Sequence, residues 1–251
     1  MLQSIPHGPV VELRLARPPA NALDTDLIAA LREAVAAAPA IGARALVLSG
    51  APGMFSGGLD VPSLLTLDRD GIRRAWADFY ALMRGLAASP IPVAAAITGH
   101  SPAGGAVLAL FCDFRVMADG DYRIGLNEVQ VGLPMPPMIH RALRRQVGAR
   151  AAERMCTTAW MMSPRDAQRI GFVDELRPLD EVVPAAVDWC AGVLRLPPRA
   201  MAKTRALARA DLLAAFDAGG ESELDELAAD WVSEETQGAL RALVERLKKR
   251  S

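Results

Sequence analysis

Histidine and cysteine are scarce, three of each in 251 residues, and their spacing excludes the chemistry they most often carry. His7, His100 and His140 lie far apart with no H-E-x-x-H, and Cys112, Cys156 and Cys190 form no C-x-x-C. No metal site is expected. An odd number of widely spaced cysteines fits buried thiols in a reducing compartment, not a disulfide frame. A surplus of one charge is also missing. The formal net charge is −1, so no global basic field points to nucleic acid or an anionic membrane. Apolar runs near 91–98 and 105–112 are too short to span a bilayer. Met1 to Val10 lacks the basic-then-apolar layout of a signal peptide. Neither a dinucleotide G-x-G-x-x-G nor a Walker A loop occurs. The expectation is a soluble, cytoplasmic globular protein with no membrane or nucleic-acid partner.

What is present is an alternation of strands and helices followed by helices alone. Val10 to Ala16 alternates as a strand, and Asp24 caps a helix from Thr25 to about Ala37 with Leu27, Ile28, Leu31 and Val35 on one face. Ala45 to Ser49 is a second strand, and the glycine-rich GAPGMFSGGLD follows it. A long helix lies within 64–88, and strands are expected at Val93 to Thr98 and Phe114 to Ala118. Beyond Pro137 come helices at Met138 to Gln146, Ala149 to Thr157 and Pro164 to Ile170, the last with Ser163 as N-cap. GFVDEL is a short strand, and Leu179 to Leu196 is another helix. PPRAMAKTRAL opens a helical section broken at Gly219 and Gly220. It ends in a helix with a Leu240, Leu243, Val244 and Leu247 stripe, whose C-terminus Lys248, Lys249 and Arg250 complement. This order predicts an α/β core over 1–195 and a C-terminal helical region over 196–251.

The centre of the chain is IPVAAAITGHSPAGGAVLALFCDFRVMADGDYRIGLNEVQVGLP, residues 91–134. Val93 to Ile97 reads as a strand buried on both faces. Pro102 fits the first turn of a helix, where a missing N–H costs little. Gly104 and Gly105 then leave backbone N–H groups open to close approach, and Ala106 to Phe111 forms the apolar helical body. Such a terminus can bind an oxygen that becomes negative. Glu128 is the single acid of IGLNEVQVGLP, and an acid in an apolar setting is a candidate proton carrier.

Other readings of the same residues are weaker. Gly99 to Ala103 nearly fits the G-x-S-x-G nucleophile elbow, but the residue after its serine is Pro102, which has no oxyanion N–H to give. His100 beside the glycine turn suits a local hydrogen bond better than a ligand contact, and Cys112 suits a core position. Trp160, Met161 and Met162 could form either an adaptable apolar wall or core packing. Arg141, Arg144, Arg145 and Arg150 decorate a solvated helix face, with no interleaved aromatics for base stacking.

Two glycine loops, FSGGLD at 55–60 and SPAGG at 101–105, together with Glu128, resemble the crotonase family, also called the enoyl-CoA hydratase/isomerase superfamily. The resemblance runs from RPPANAL at 17–23 through both loops and IGLNEVQVGLP to SPRDAQRIGFVDEL and the closing helix. It implies a spiral of ββα repeats, a C-terminal helical trimerisation region, a homotrimer or dimer of trimers, and an acyl-CoA thioester substrate. Carried over by motif, the N–H groups of Leu59 and Gly104 bind the thioester oxygen. Ala20, Asn21, Ala22 and Leu23, with Ser56, Gly57, Gly58 and Asp60, fall in the segments that hold the CoA moiety. Hydratases of the family use two glutamates, at the positions of Val107 and Glu128 here. Valine moves no proton, so the water-adding pair is incomplete. An aliphatic residue at 107 and the IGLNE stretch resemble the Δ3,Δ2-enoyl-CoA isomerase branch, in which the matching glutamate works alone with Asn127 beside the substrate. No cofactor is implied beyond the coenzyme A of the substrate. Other crotonase chemistry (hydration, dienoyl-CoA isomerisation, thioester hydrolysis through Glu128) and a non-catalytic binding role are the alternatives.

Overall fold

The computed structural model describes residues 1–249, apart from the side chains of 218 and 219; Arg250 lies outside the described residues. The strands in chain order are β1 (Leu2–His7), β2 (Val10–Leu15), β3 (Ala45–Ser49), β4 (Gly53–Met54), β5 (Val93–Ile97), β6 (Gly99–Pro102), β7 (Phe114–Ala118), β8 (Ile124–Gly125) and β9 (Glu175–Arg177). Six of them form one sheet in the order β1-β2-β3-β5-β7-β9, and the short β4, β6 and β8 form a second sheet. Only the β1–β2 hairpin is antiparallel among the described pairs.

The two sheets arise together. Each of β3, β5 and β7 runs on, through a tight corner, into a short strand of the second sheet and then into helix. That repetition is the spiral of ββα turns expected from the sequence. The corner demands glycine: a Cβ on Gly99 would stand 2.0 Å from the carbonyl carbon of Gly53 on the preceding turn. Successive turns stack backbone to backbone, which the β4–β6 register of Gly53 with Gly99 and Met54 with His100 continues.

The helices are α1 (Thr25–Ala37), α2 (Val61–Leu64), α3 (Arg69–Ala88), α4 (Gly104–Leu110), α5 (Pro137–Val147), α6 (Ala149–Thr158), α7 (Pro164–Arg169), α8 (Val182–Val193), α9 (Pro198–Ala208), α10 (Ala210–Val232) and α11 (Glu234–Lys248). Side-chain alternation decides what covers each sheet face. Ala45, Val47, Ala94, Ala96, Val116 and Ala118 turn toward Val182, Ala186 and Cys190 of α8. Leu46, Leu48, Val93, Ala95 and Ile97 turn the other way, into the main core with α1, α3 and α4. That core also takes in Leu212, Leu224, Trp231 and Leu240 from the C-terminal helices.

Ion pairs fasten those helices to the spiral. Arg205 of α9 and Arg209, which follows it, both reach the Asp113 carboxylate, with Arg209 Nη1 at 2.8 Å and Arg205 Nη2 at 2.9 Å. Arg209 also donates to the carbonyls of Ala87 and Phe111, and Arg205 to that of Ser89. Arg145 and Arg141 tie α5 to α10 through Asp211 and the Ala215 carbonyl. The arginine face of α5 is therefore largely occupied by contacts within the chain.

Three expectations need correction, and one strand was missed. β1 was not anticipated, because Pro6 interrupts its pattern; on an edge strand a missing N–H is tolerated. Pro102 ends β6 and does not open α4, whose N-cap is Ala103. The strand in GFVDEL begins only at Glu175, since Phe172 and Val173 are buried in the core before it. The expected helix at 179–196 is α8 with a separate 3-10 turn, Leu179–Glu181, before it. The Ser163 cap stands as expected, accepting from the Asp166 amide at 3.1 Å. Gly220 (φ 55, ψ −157) breaks the helical path of α10. No helix among the described residues is long and apolar enough to cross a membrane.

Candidate active site

Three turns of the spiral meet at one cavity. The first contribution is a lacing of RPPANAL onto FSGGLD. Asn21, in the left-handed region at φ 50, accepts from the Arg17 amide and donates to the carbonyls of Met54 and Phe55 at 3.2 and 3.1 Å. Ser56 Oγ donates to the Asn21 carbonyl at 2.8 Å and accepts from the Gly58 amide at 3.2 Å. Leu23 donates to the Gly58 carbonyl and accepts from the Asp60 amide. Both neighbours of Leu59 thus face Leu23, so extended geometry turns the Leu59 N–H to the opposite side. Among the described residues that N–H makes no hydrogen bond.

The second contribution is the β6–α4 junction. Ala103 takes φ 45 and ψ −119, a conformation that costs a residue with a Cβ about 1–3 kcal/mol. Its amide is anchored to the Gly125 carbonyl at 2.8 Å. The turn presents the Gly104 N–H at the start of α4, where no helical partner exists for it and none is found among the described residues. The loops touch through their glycines. A Cβ on Gly58 would stand 3.2 Å from the Gly104 nitrogen, and one on Gly105 would stand 2.6 Å from the Ser56 carbonyl oxygen.

The third contribution follows β8. Buried Leu126 leads to Asn127 and to Glu128, which opens a 3-10 turn, Glu128–Val131. Glu128 is 8% exposed. Its Oε2, like Oδ1 of Asn127, is buried with no hydrogen-bond partner among the described residues. Burial pushes its carboxyl up from the ordinary 4.5 to about 7.

Leu59, Gly104, Asn127 and Glu128 line one cavity of about 670 Å³. Ala20, Ala22, Gly57 and Asp60 line it with Arg17, whose Nε reaches Asp24 at 2.9 Å and whose Nη2 reaches Asp60 at 2.6 Å. Asp60 also caps α2, so its carboxylate is engaged. Val107 lines the cavity and supplies no second acid. Two amides without partners among the described residues, on a cavity shared with a buried carboxyl whose Oε2 is also without one, can hold an oxyanion and move a proton.

The enoyl-CoA hydratase/isomerase family model matches residues 7–250. The chain belongs to that family. Human mitochondrial enoyl-CoA delta isomerase 1 is 29% identical over 244 residues, covering 95% of this chain and 80% of the relative. The Mycobacterium avium protein named "Probable enoyl-CoA hydratase echA17" is 34% identical over 219 residues, covering 81% and 82%. The crystal structure of human mitochondrial Δ3-Δ2-enoyl-CoA isomerase superposes with a TM-score of 0.94 at 27% identity, over 100% of this chain and 99% of that one. The fold is the crotonase fold.

Within this enoyl-CoA hydratase/isomerase chain, the residues singled out from sequence separate into two groups. Ala20, Ala22, Gly57, Leu59, Asp60, Gly104, Val107, Asn127 and Glu128 line the cavity. Asn21, Ser56 and Gly58 sit behind it and shape the loops. His100 takes a local role, accepting from the Arg123 amide at 3.1 Å. Trp160 stacks under Arg154, and Met162 is core. Sequence reasoning missed the far, apolar wall: Trp76, Phe79, Trp231 and, from α11, Leu240, Leu243 and Leu247. The leucine stripe was visible, but periodicity does not say whether a stripe meets core, cavity or another subunit.

Proposed function

We propose that the chain is a Δ3,Δ2-enoyl-CoA isomerase, moving the double bond of 3-enoyl-CoA to 2-trans-enoyl-CoA in fatty-acid β-oxidation. One observation carries this reading: Glu128 is a buried acid with an oxygen, Oε2, left without a partner among the described residues, in the cavity of Leu59 and Gly104, while Val107, which lines the same cavity, supplies no second acid. Glu128 takes the proton from C2 of the substrate. The electron pair moves through C2 to the thioester oxygen, and the Leu59 and Gly104 N–H groups hold that charge. Such donors are worth about 3–4 kcal/mol each when preorganised. The dienolate then collapses with its double bond between C2 and C3, and Glu128 returns the proton at C4. One group serves as base and then as acid, so a carboxyl near 7 suits both steps. The reaction asks for no cofactor beyond the coenzyme A of the substrate.

Hydration is the second reading, favoured by the mycobacterial relative named as a hydratase. The test offers purified protein 3-hexenoyl-CoA and, separately, 2-hexenoyl-CoA, following the ultraviolet absorbance of the conjugated thioester and the product mass. Absorbance rising from the 3-enoyl substrate, with no water added to the 2-enoyl one, supports isomerisation. Loss of absorbance with a gain of water supports hydration. The reading includes a homotrimer or dimer of trimers built through the C-terminal helices. Sedimentation as a monomer at micromolar concentration counts against it. The buried free thiols support a reducing compartment, the cytoplasm in this reading.

A further inference from the structure

We propose that α11 senses the acyl chain and sets Glu128 through a single hydrogen bond, which makes Thr236 a positioning residue; the proposal rests on Glu128 being the proton carrier. The Thr236 hydroxyl, buried, donates to the Gly132 carbonyl at 2.7 Å. Gly132, at φ 73, closes the turn that Glu128 opens. Its amide bonds back to the Val129 carbonyl at 3.3 Å, and the Leu133 amide holds the Glu128 carbonyl at 3.1 Å. The contact is close as well as polar, since a Cβ on Gly132 would stand 3.1 Å from Cα of Thr236. Oε2 of Glu128 has no partner among the described residues. The turn from which the side chain projects is therefore what aims it.

The same face of α11 reaches the substrate space. Thr236, Leu240, Leu243 and Leu247 are spaced by four, three and four residues, one stripe of a helix, and the three leucines line the cavity. Among the described residues α11 buries Thr236 and Leu240 and seats half-buried Leu243 against the main core, while Leu247 is 48% exposed, so its apolar support thins toward the C-terminal end. An acyl chain reaching Leu243 and Leu247 adds apolar contact where the helix has least, and firmer seating passes through Thr236 to the Glu128 turn. Chain length then acts on kcat as well as on binding.

The experiment measures kcat and KM of the full-length protein with 3-enoyl-CoA substrates of six to twelve carbons, for wild type, Thr236→Val and Thr236→Ser. Wild-type kcat is expected to rise with length. T236V keeps the shape and loses the donor. Its kcat is expected to fall roughly tenfold, since a misplacement of about 1 Å can cost about a hundredfold, and to be flat with length. Binding of saturated acyl-CoA still tightens with length in T236V, and T236S restores the wild-type slope. In parallel, a long saturated acyl-CoA is expected to slow amide hydrogen exchange at Gly132 and Leu133 in wild type but not in T236V. A wild-type kcat profile in T236V, or T236S no better than T236V, overturns the proposal. If T236V does not fold, Leu243→Ala, which keeps the hydrogen bond, must flatten kcat for the long substrates; an unchanged slope overturns the relay. Absence of any wild-type isomerisation sinks the isomerase reading instead, and the exchange data then decide the relay alone.

Discussion

The amide nitrogen of Leu59 stands 3.3 Å from the point where a Cβ on Gly104 would sit. A side chain of any size at 104 therefore crowds the two amides proposed to share one oxygen. Gly104→Ala is expected to lower kcat/KM about a hundredfold, the usual scale for loss of one oxyanion donor. Some loss of thermal stability is expected as well, because two of the three nearest atoms, Gly58 Cα and Leu59 N at 3.3 Å, belong to backbone that must give way. Steady-state kinetics beside a thermal melt checks both halves.

Glu128→Gln removes the proposed proton carrier and a buried ionisable group in one step. Turnover is expected to vanish while acyl-CoA binding persists, measured by titration calorimetry. The stability effect has a definite sign. The folded-state value of about 7 lies above the ordinary 4.5, so the native state prefers the neutral acid. The ionisation penalty is absent below about pH 4.5, grows as pH rises and is complete above about 7. The glutamine variant is expected to be the more stable protein at pH 8, by as much as about 3 kcal/mol, and to lose that advantage at pH 4.5. Urea melts at the two pH values decide.

In the proposed mechanism the same group sets the pH profile of catalysis. The proposed isomerisation begins with an ionised base, so kcat/KM is expected to rise with pH through a single midpoint near 7. A midpoint near 4.5 would mean that Glu128 is solvated in the working enzyme.

Asp113 receives both Arg205 and Arg209 and also accepts from the Val93 amide at 2.8 Å. Asp113→Ala strands two guanidinium groups in a largely buried place. Breaking such a cluster is expected to cost about 3–5 kcal/mol, measured by urea unfolding. Loosening of α9 and α10 should accompany it in hydrogen exchange.

Much of this architecture was legible in the residues. The buried strand at Val93 to Ile97 and the caps at Asp24 and Ser163 follow from local pattern, and each stands in the structure. Glu128 could be singled out because it is the only acid in an apolar stretch. The two-residue strands Gly53–Met54 and Ile124–Gly125 were not legible, since two residues carry no period. Pro102 was misplaced because the local rule favours proline at a helix start, whereas strand pairing with Gly125 decides the matter. The strained turn at Ala103 and the role of α11 as cavity wall depend on contacts between distant segments, which local pattern does not encode.

Leu59, Gly104 and Glu128 follow three successive windings of the spiral, the first after β4, the second after β6 and the third after β8. No single winding holds even a rudimentary version of the site. During refolding, catalysis should therefore return as one late event, after most helical signal has recovered, with no stage of half-activity. For this molecule, turnover is a gauge of whether the last coil has closed.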